Sequence, residues 1–136
     1  MSPVARADHD EQVVLHPDLT AALAARDFVR CTCLRWGLED MLDAALLVVS
    51  ELVTNAVVYA RSPVTLRLRL RPDHLLVGVE DEDCRLPVLQ RHNDWGALGG
   101  RGLLLVDALS ARWGSQPAPF GKIVWAELPL VPAPSA

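Results

Sequence analysis

Residues 38–60 contain neither proline nor glycine and consist mostly of good helix formers, which predicts one long helix. Its second half, 44–58, is apolar except for Ser50, Glu51, Thr54 and Asn55. At about 100° per residue these four fall within an arc of roughly 140°, stacked over about two turns. Leu47 and Val58 close the arc above and below, so the pattern is a local polar patch on a helix that is apolar nearly all round. Such helices are normally buried, and buried polar groups need partners. Glu51 and Asn55 stand four apart and share a face. A carboxylate beside a carboxamide oxygen suits a hydrated cation, or a water held for chemistry. The competing reading is the solvent side of an amphipathic helix, although such a side usually carries several charges and this one carries a single glutamate.

The pattern elsewhere predicts alternating strands and helices. Residues 13–15 form a short first strand ended by Pro17. Asp18 is placed as the N-cap of a helix running to Trp36, with Gly37 as its stop. The apolar stripe Leu19, Ala22, Leu23, Ala25, Val29, Cys33 and Trp36 lays that helix on the sheet beside the central one. Arg26 interrupts the stripe and Phe28 falls off it. Residues 64–71 alternate strictly, with Val64, Leu66, Leu68 and Leu70 facing one way and Thr65, Arg67, Arg69 and Arg71 the other. This is a strand with one buried face, and the arginine row is read as solvated rather than as a surface for nucleic acid or an acidic partner. A turn at Pro72-Asp73-His74 leads into a second strand, 75–80, to complete a hairpin.

Val77, Val79 and Asp81 share the apolar face of that second strand, so Asp81 points toward the core layer and needs a donor. Either it caps a neighbouring backbone turn, or it accepts a hydrogen bond from an exocyclic amine such as that of adenine. Residues 82–87 form a loop with solvated acidic groups, and 88–99 a mobile surface segment. Gly99-Gly100-Arg101-Gly102 then opens a helix over 103–112, closed by Gly114, and two strands follow at 113–116 and 121–128. Glycines at a helix N-terminus let backbone N–H groups approach a phosphate closely, with the helix dipole adding to the attraction. The spacing fits neither the P-loop nor the Rossmann fingerprint.

The chain has 136 residues, 51% hydrophobic and 22% charged, which is the composition of one globular domain with a sizeable core. Residues 1–12 are read as a disordered N-terminus, 13–130 as the domain and 131–136 as a frayed Pro/Ala tail. A net charge of −4 argues against general nucleic-acid or anionic-membrane binding. Three cysteines make no disulfide framework, and four scattered histidines suggest no metal site. The start lacks the apolar core of a signal peptide, so a cytoplasmic protein is expected.

Three signals converge on one ligand. The helix patch would hold a metal or water, the inward aspartate would read an amine, and the glycine turn would hold phosphates. In order, Glu51-x-x-x-Asn55, Asp81 and Gly100-x-Gly102 resemble the N, G1 and G2 boxes of the Bergerat ATP-binding fold. That fold is shared by sensor histidine kinases, gyrase, a family of heat-shock chaperones and MutL. VVSELVTNAV, RLPVL, GGRGLLLVDALSARWG and GKIVWAEL are closer to the small stand-alone anti-sigma factor kinases of the RsbW type found in actinobacteria. The likeness covers about residues 13–130.

The resemblance implies an α+β two-layer sandwich, with three main helices on one face of a mixed, mostly antiparallel sheet. It implies ATP and Mg²⁺ as ligands, with Asn55 coordinating the metal and Glu51 acting as the general base or orienting the attacking hydroxyl. Asp81 would bond the adenine amine. Gly100, Gly102 and the backbone at Leu103 would hold phosphates, Arg101 adding a charge contact. Residues 89–99 would be a short lid, and Gly121-Lys122 would match the final strand motif, with Lys122 near the nucleotide. Implied partners are a sigma factor and an anti-anti-sigma factor, with homodimerisation possible.

Three departures from the family pattern matter. Tyr59 stands where close relatives more often carry histidine. The fuller Asp-x-Gly-x-Gly box is replaced by Asp81-Glu82-Asp83-Cys84-Arg85, and Glu82 and Asp83 would repel phosphate if they turned inward. Two functions are therefore weighed: a serine/threonine kinase acting on an anti-anti-sigma partner, favoured by the intact Glu51, and an ATP-dependent binding module with little turnover, favoured by the glycine-poor box. A two-component sensor kinase and a gyrase- or MutL-like ATPase are not expected, since no phospho-accepting dimerisation helix or transducer domain is found in the sequence.

Overall fold

A computed structural model describes residues 9–60, 62–83 and 100–130, with 59, 60 and 100–102 described by backbone alone. In chain order the elements are β1 (His9–Leu15), α1 (Ala21–Arg35), α2 (Leu42–Ala60), β2 (Val64–Leu70), β3 (His74–Asp81), α3 (Gly100–Leu109), β4 (Arg112–Ala118) and β5 (Gly121–Pro129). The strands form one sheet in the order β1-β2-β3-β5-β4. Every pairing among them is antiparallel, so the mixed character expected of the sheet is absent among the described strands.

The leucine face of β2 and the alternating face of β3 are buried, as their period of two requires. The helices cover that face: α1 packs on β1 and α2, α2 lies over β2, β3 and β5, and α3 packs on α2 and β4. Val48, Val49 and Val53 of α2 meet the sheet's Leu66, Leu68 and Val77 in one continuous core. By length and composition Glu39–Val58 is apolar enough to cross a membrane. In the fold it is the central core helix, which is where an all-round apolar helix belongs in a globular domain.

Several boundaries differ from the sequence reading, each for a physical reason. β1 starts at His9, so residues 9–12 belong to the sheet and not to a disordered N-terminus. Its polar residues are paired across the strand, Asp10 with Arg69 and Gln12 with Arg67. Asp18 is not the N-cap of α1; Thr20 occupies that position, and the Asp18 carboxylate accepts from the Thr20 backbone N–H at 2.8 Å in a local turn. The far end behaves as expected. Gly37 adopts φ +71°, its N–H reaches Leu34 C=O, and Leu38 N–H reaches Cys33 C=O at 2.8 Å, the paired bonds of a Schellman stop.

The buried stripe of α1 is Ala21, Ala25, Val29, Thr32 and Cys33, whereas Leu19 and Leu23 are 94% and 71% exposed. Small residues let α1 approach α2 closely, and the leucines turn outward. The long central helix is split into a 3₁₀ turn at Glu39–Met41 followed by α2. α3 ends at Leu109, and Arg112 opens β4 instead of closing the helix. There the Ala111 N–H already bonds Glu127 C=O, drawing the chain into the sheet.

Candidate nucleotide-binding site

Asp81 ends β3 on the helix-facing side and is 2% exposed. Directly across from it on β5 stands Lys122, 4% exposed. The Lys122 ammonium donates to Asp81 Oδ1 at 3.1 Å, and the Asp83 backbone N–H donates to the same oxygen at 2.9 Å. Lys122 also reaches the Asp83 carbonyl at 3.4 Å. Among the described residues Oδ2 accepts no hydrogen bond. Of the two readings of Asp81, the turn cap is present and rests on Oδ1, which also pairs with the lysine.

The pairing needs the two strands to approach closely at this end. Gly121 provides the approach, because a Cβ there would overlap the Asp81 carbonyl oxygen and crowd the Glu82 backbone. Beyond Asp81 the chain is pinned again, the Glu82 N–H donating to Ser62 Oγ at 3.0 Å. Glu82 itself is exposed.

On α2 the polar patch is neither fully buried nor a free surface. Ser50, Glu51 and Asn55 are half-buried, and Thr54 is exposed. Arg26 of α1 donates to Ser50 Oγ at 3.1 Å, which accounts for the charge that interrupts the apolar stripe of α1. Glu51 and Asn55 make no side-chain hydrogen bond among the described residues, so their donor and acceptor groups are open to a ligand. α2 bridges the remaining parts, lying over β3 and packing against α3. Gly100, Arg101, Gly102 and Leu103 form the first turn of α3 rather than a loop before it, and Leu103 is anchored in the core. The side chains of Tyr59 and Arg101, the lid at 89–99, Cys84 and Arg85 of the glycine-poor box, and the tail at 131–136 lie outside the described residues.

Residues 15–127 match the family model of the histidine kinase-like ATPase domain. The chain belongs to this family. Its architecture is similar to that of the RsbU and RsbW domains of Rv1364c from Mycobacterium tuberculosis, seen in a crystal structure, with a TM-score of 0.66 over 88% of this chain and 17% sequence identity. This chain spans 31% of the length of that one, and at such identity the likeness is one of fold. No curated protein matches the sequence. The histidine kinase-like ATPase assignment gives the chain an ATP-binding, nucleotide-binding character.

Sequence reasoning missed two supporting residues of the site. Arg26 left a trace, a charge inside an apolar stripe. Ser62 left none, since its role is to accept the backbone N–H of Glu82, 20 residues away and just past the end of β3.

Proposed function

We propose that this histidine kinase-like ATPase domain binds Mg-ATP and is an anti-sigma factor with serine/threonine kinase activity toward an anti-anti-sigma partner of the STAS type, working in the cytoplasm. The observation that carries the reading is the Asp81 carboxylate, buried beside Lys122, whose Oδ2 accepts no hydrogen bond among the described residues. As a carboxylate oxygen it only accepts, which suits it to the adenine amine.

Asn55 would hold Mg²⁺ through its carboxamide oxygen. Among the described residues no three acidic, histidine or cysteine groups gather to hold a metal. That fits an ion taking most of its ligands from phosphate oxygens and water. When bound, Mg²⁺ neutralises phosphate charge. Glu51 would take the proton of the partner's serine as its oxygen bonds the γ-phosphorus. The bond from that phosphorus to the β,γ-bridging oxygen breaks, and ADP leaves with the electron pair.

One observation favours a second reading, an ATP-dependent module that regulates its partner with little turnover. The turn after Asp81 has no glycine and is pinned at Glu82 and Asp83, so it has little freedom to follow a nucleotide through a catalytic cycle.

Calorimetric titration of Mg-ATP into the wild type and Asp81→Asn tests the site. The variant is expected to bind at least about tenfold more weakly, or about 1.4 kcal/mol. A folded wild type that takes up no Mg-ATP would refute the reading.

A further inference from the structure

The Asp81–Lys122 pair offers more than a nucleotide contact, a role that rests on Asp81 reading the base. We infer that Lys122 is a positioning residue for base recognition: it grips Asp81 through Oδ1, presents Oδ2 to the base, and so sets the preference for a six-amino over a six-oxo purine.

Three observations carry this. The first is the arrangement of donors. An aspartate carboxylate turns easily about its last torsion, but here the ammonium and the Asp83 N–H both hold the same oxygen. Oδ2 is thereby fixed in direction and accepts no hydrogen bond among the described residues. As a carboxylate oxygen it only accepts, so it matches the amine of adenine and opposes the carbonyl oxygen of hypoxanthine.

The second is burial. The side chains of Lys122 and Asp81 are 5% and 1% exposed, so the lysine is not a surface cation folding over at random. A buried carboxylate needs a counter-charge, and removing one partner of such a pair leaves the other unsatisfied.

The third is rigidity. Asp81 and Lys122 are cross-strand partners in the β3–β5 ladder, and the close approach at Gly121 sets the spacing of the two backbones. The lysine stem starts from a fixed point.

The test compares binding of Mg-ATP and Mg-inosine triphosphate, by calorimetry, to the wild type, Lys122→Met and Lys122→Arg. The wild type is expected to prefer ATP by at least about tenfold, since a site built for an N–H donor rejects the analogue lacking it. In Lys122→Met the preference falls to within about threefold, and Lys122→Arg restores most of it. Should the methionine variant fail to fold, Lys122→Leu, which likewise removes the donor, is read in its place with the same expected loss of preference. A purely structural lysine would weaken both nucleotides alike and leave their ratio unchanged; that result overturns the inference and leaves ATP binding standing. A wild type that binds both nucleotides equally overturns it too. A folded wild type that binds neither sinks the ATP reading and the role of Lys122 together.

Discussion

Arg26 of α1 and Ser50 of α2 are joined by a 3.1 Å hydrogen bond, one residue before Glu51. The bond fastens the polar patch of the central helix to its neighbour and gives a part-buried guanidinium a partner. Hydrogen bonds to charged groups contribute about 1.5–3 kcal/mol when well buried, and partial exposure lowers this. Arg26→Met should therefore cost about 1 kcal/mol in urea unfolding. An unchanged midpoint would mean that the bond does not form in solution.

The glycines of the sheet should rank by the space a methyl would meet. At Gly121 the added Cβ overlaps the Asp81 carbonyl, and backbone cannot move aside, so Gly121→Ala should cost about 3 kcal/mol. At Gly114 it lies 3.2 Å from the Trp125 indole, a side chain able to shift, and the cost should be about 1 kcal/mol. At Gly78 it finds Ile123 at 3.8 Å, an ordinary contact. There alanine should be neutral, or stabilising by up to about 1 kcal/mol. Calorimetric melting of the three variants tests the order, and equal melting temperatures would contradict it.

Glu51→Gln separates binding from transfer. The carboxamide keeps the shape of the side chain, so Mg-ATP affinity should change little. Phosphate transfer to a STAS-domain protein should fall by roughly 10²–10⁴, the range for losing a general base. Transfer that persists in the variant would remove Glu51 from the mechanism. A wild type that binds Mg-ATP and transfers nothing would favour the binding module.

The outer pair on the last two strands predicts a pH dependence. Arg112 forks onto Glu127 at 2.7 and 3.2 Å and holds its carboxyl below the usual carboxylate value. A depressed folded value contributes stability above the unfolded pKa, which is lost as pH falls through the folded one. Because Arg112 is 70% exposed, solvent screens the pair and its contribution at neutral pH is small. Comparing the wild type with Glu127→Gln by denaturant unfolding, the gap should be present at pH 7 and close in strong acid. A gap that widens in acid would contradict a depressed Glu127.

The sequence by itself determined whatever neighbouring residues decide. The alternation of β2 and β3 fixed their buried faces, and with them the inward side of Asp81. The apolar run of α2 marked the central helix and its polar patch. Gly37 ended α1 because the stop needs a positive φ at that one residue. Glu51, Asn55, Asp81 and Gly100-x-Gly102 in order pointed to the family. Tertiary structure decided what depends on residues far apart in the chain. The polar first half of β1 joins the sheet where Arg69 and Arg67 stand opposite Asp10 and Gln12. The stripe read for α1 included Leu19 and Leu23, but packing on α2 buried Ala21, Ala25, Val29, Thr32 and Cys33 instead. Arg112 joins β4 because Glu127 is across the ladder. Lys122 meets Asp81 because β5, after an excursion through α3 and β4, returns beside β3. Periodicity and backbone angles are local properties, legible in any short window. Which charge meets which is set by strand register, and register exists only once the sheet has formed.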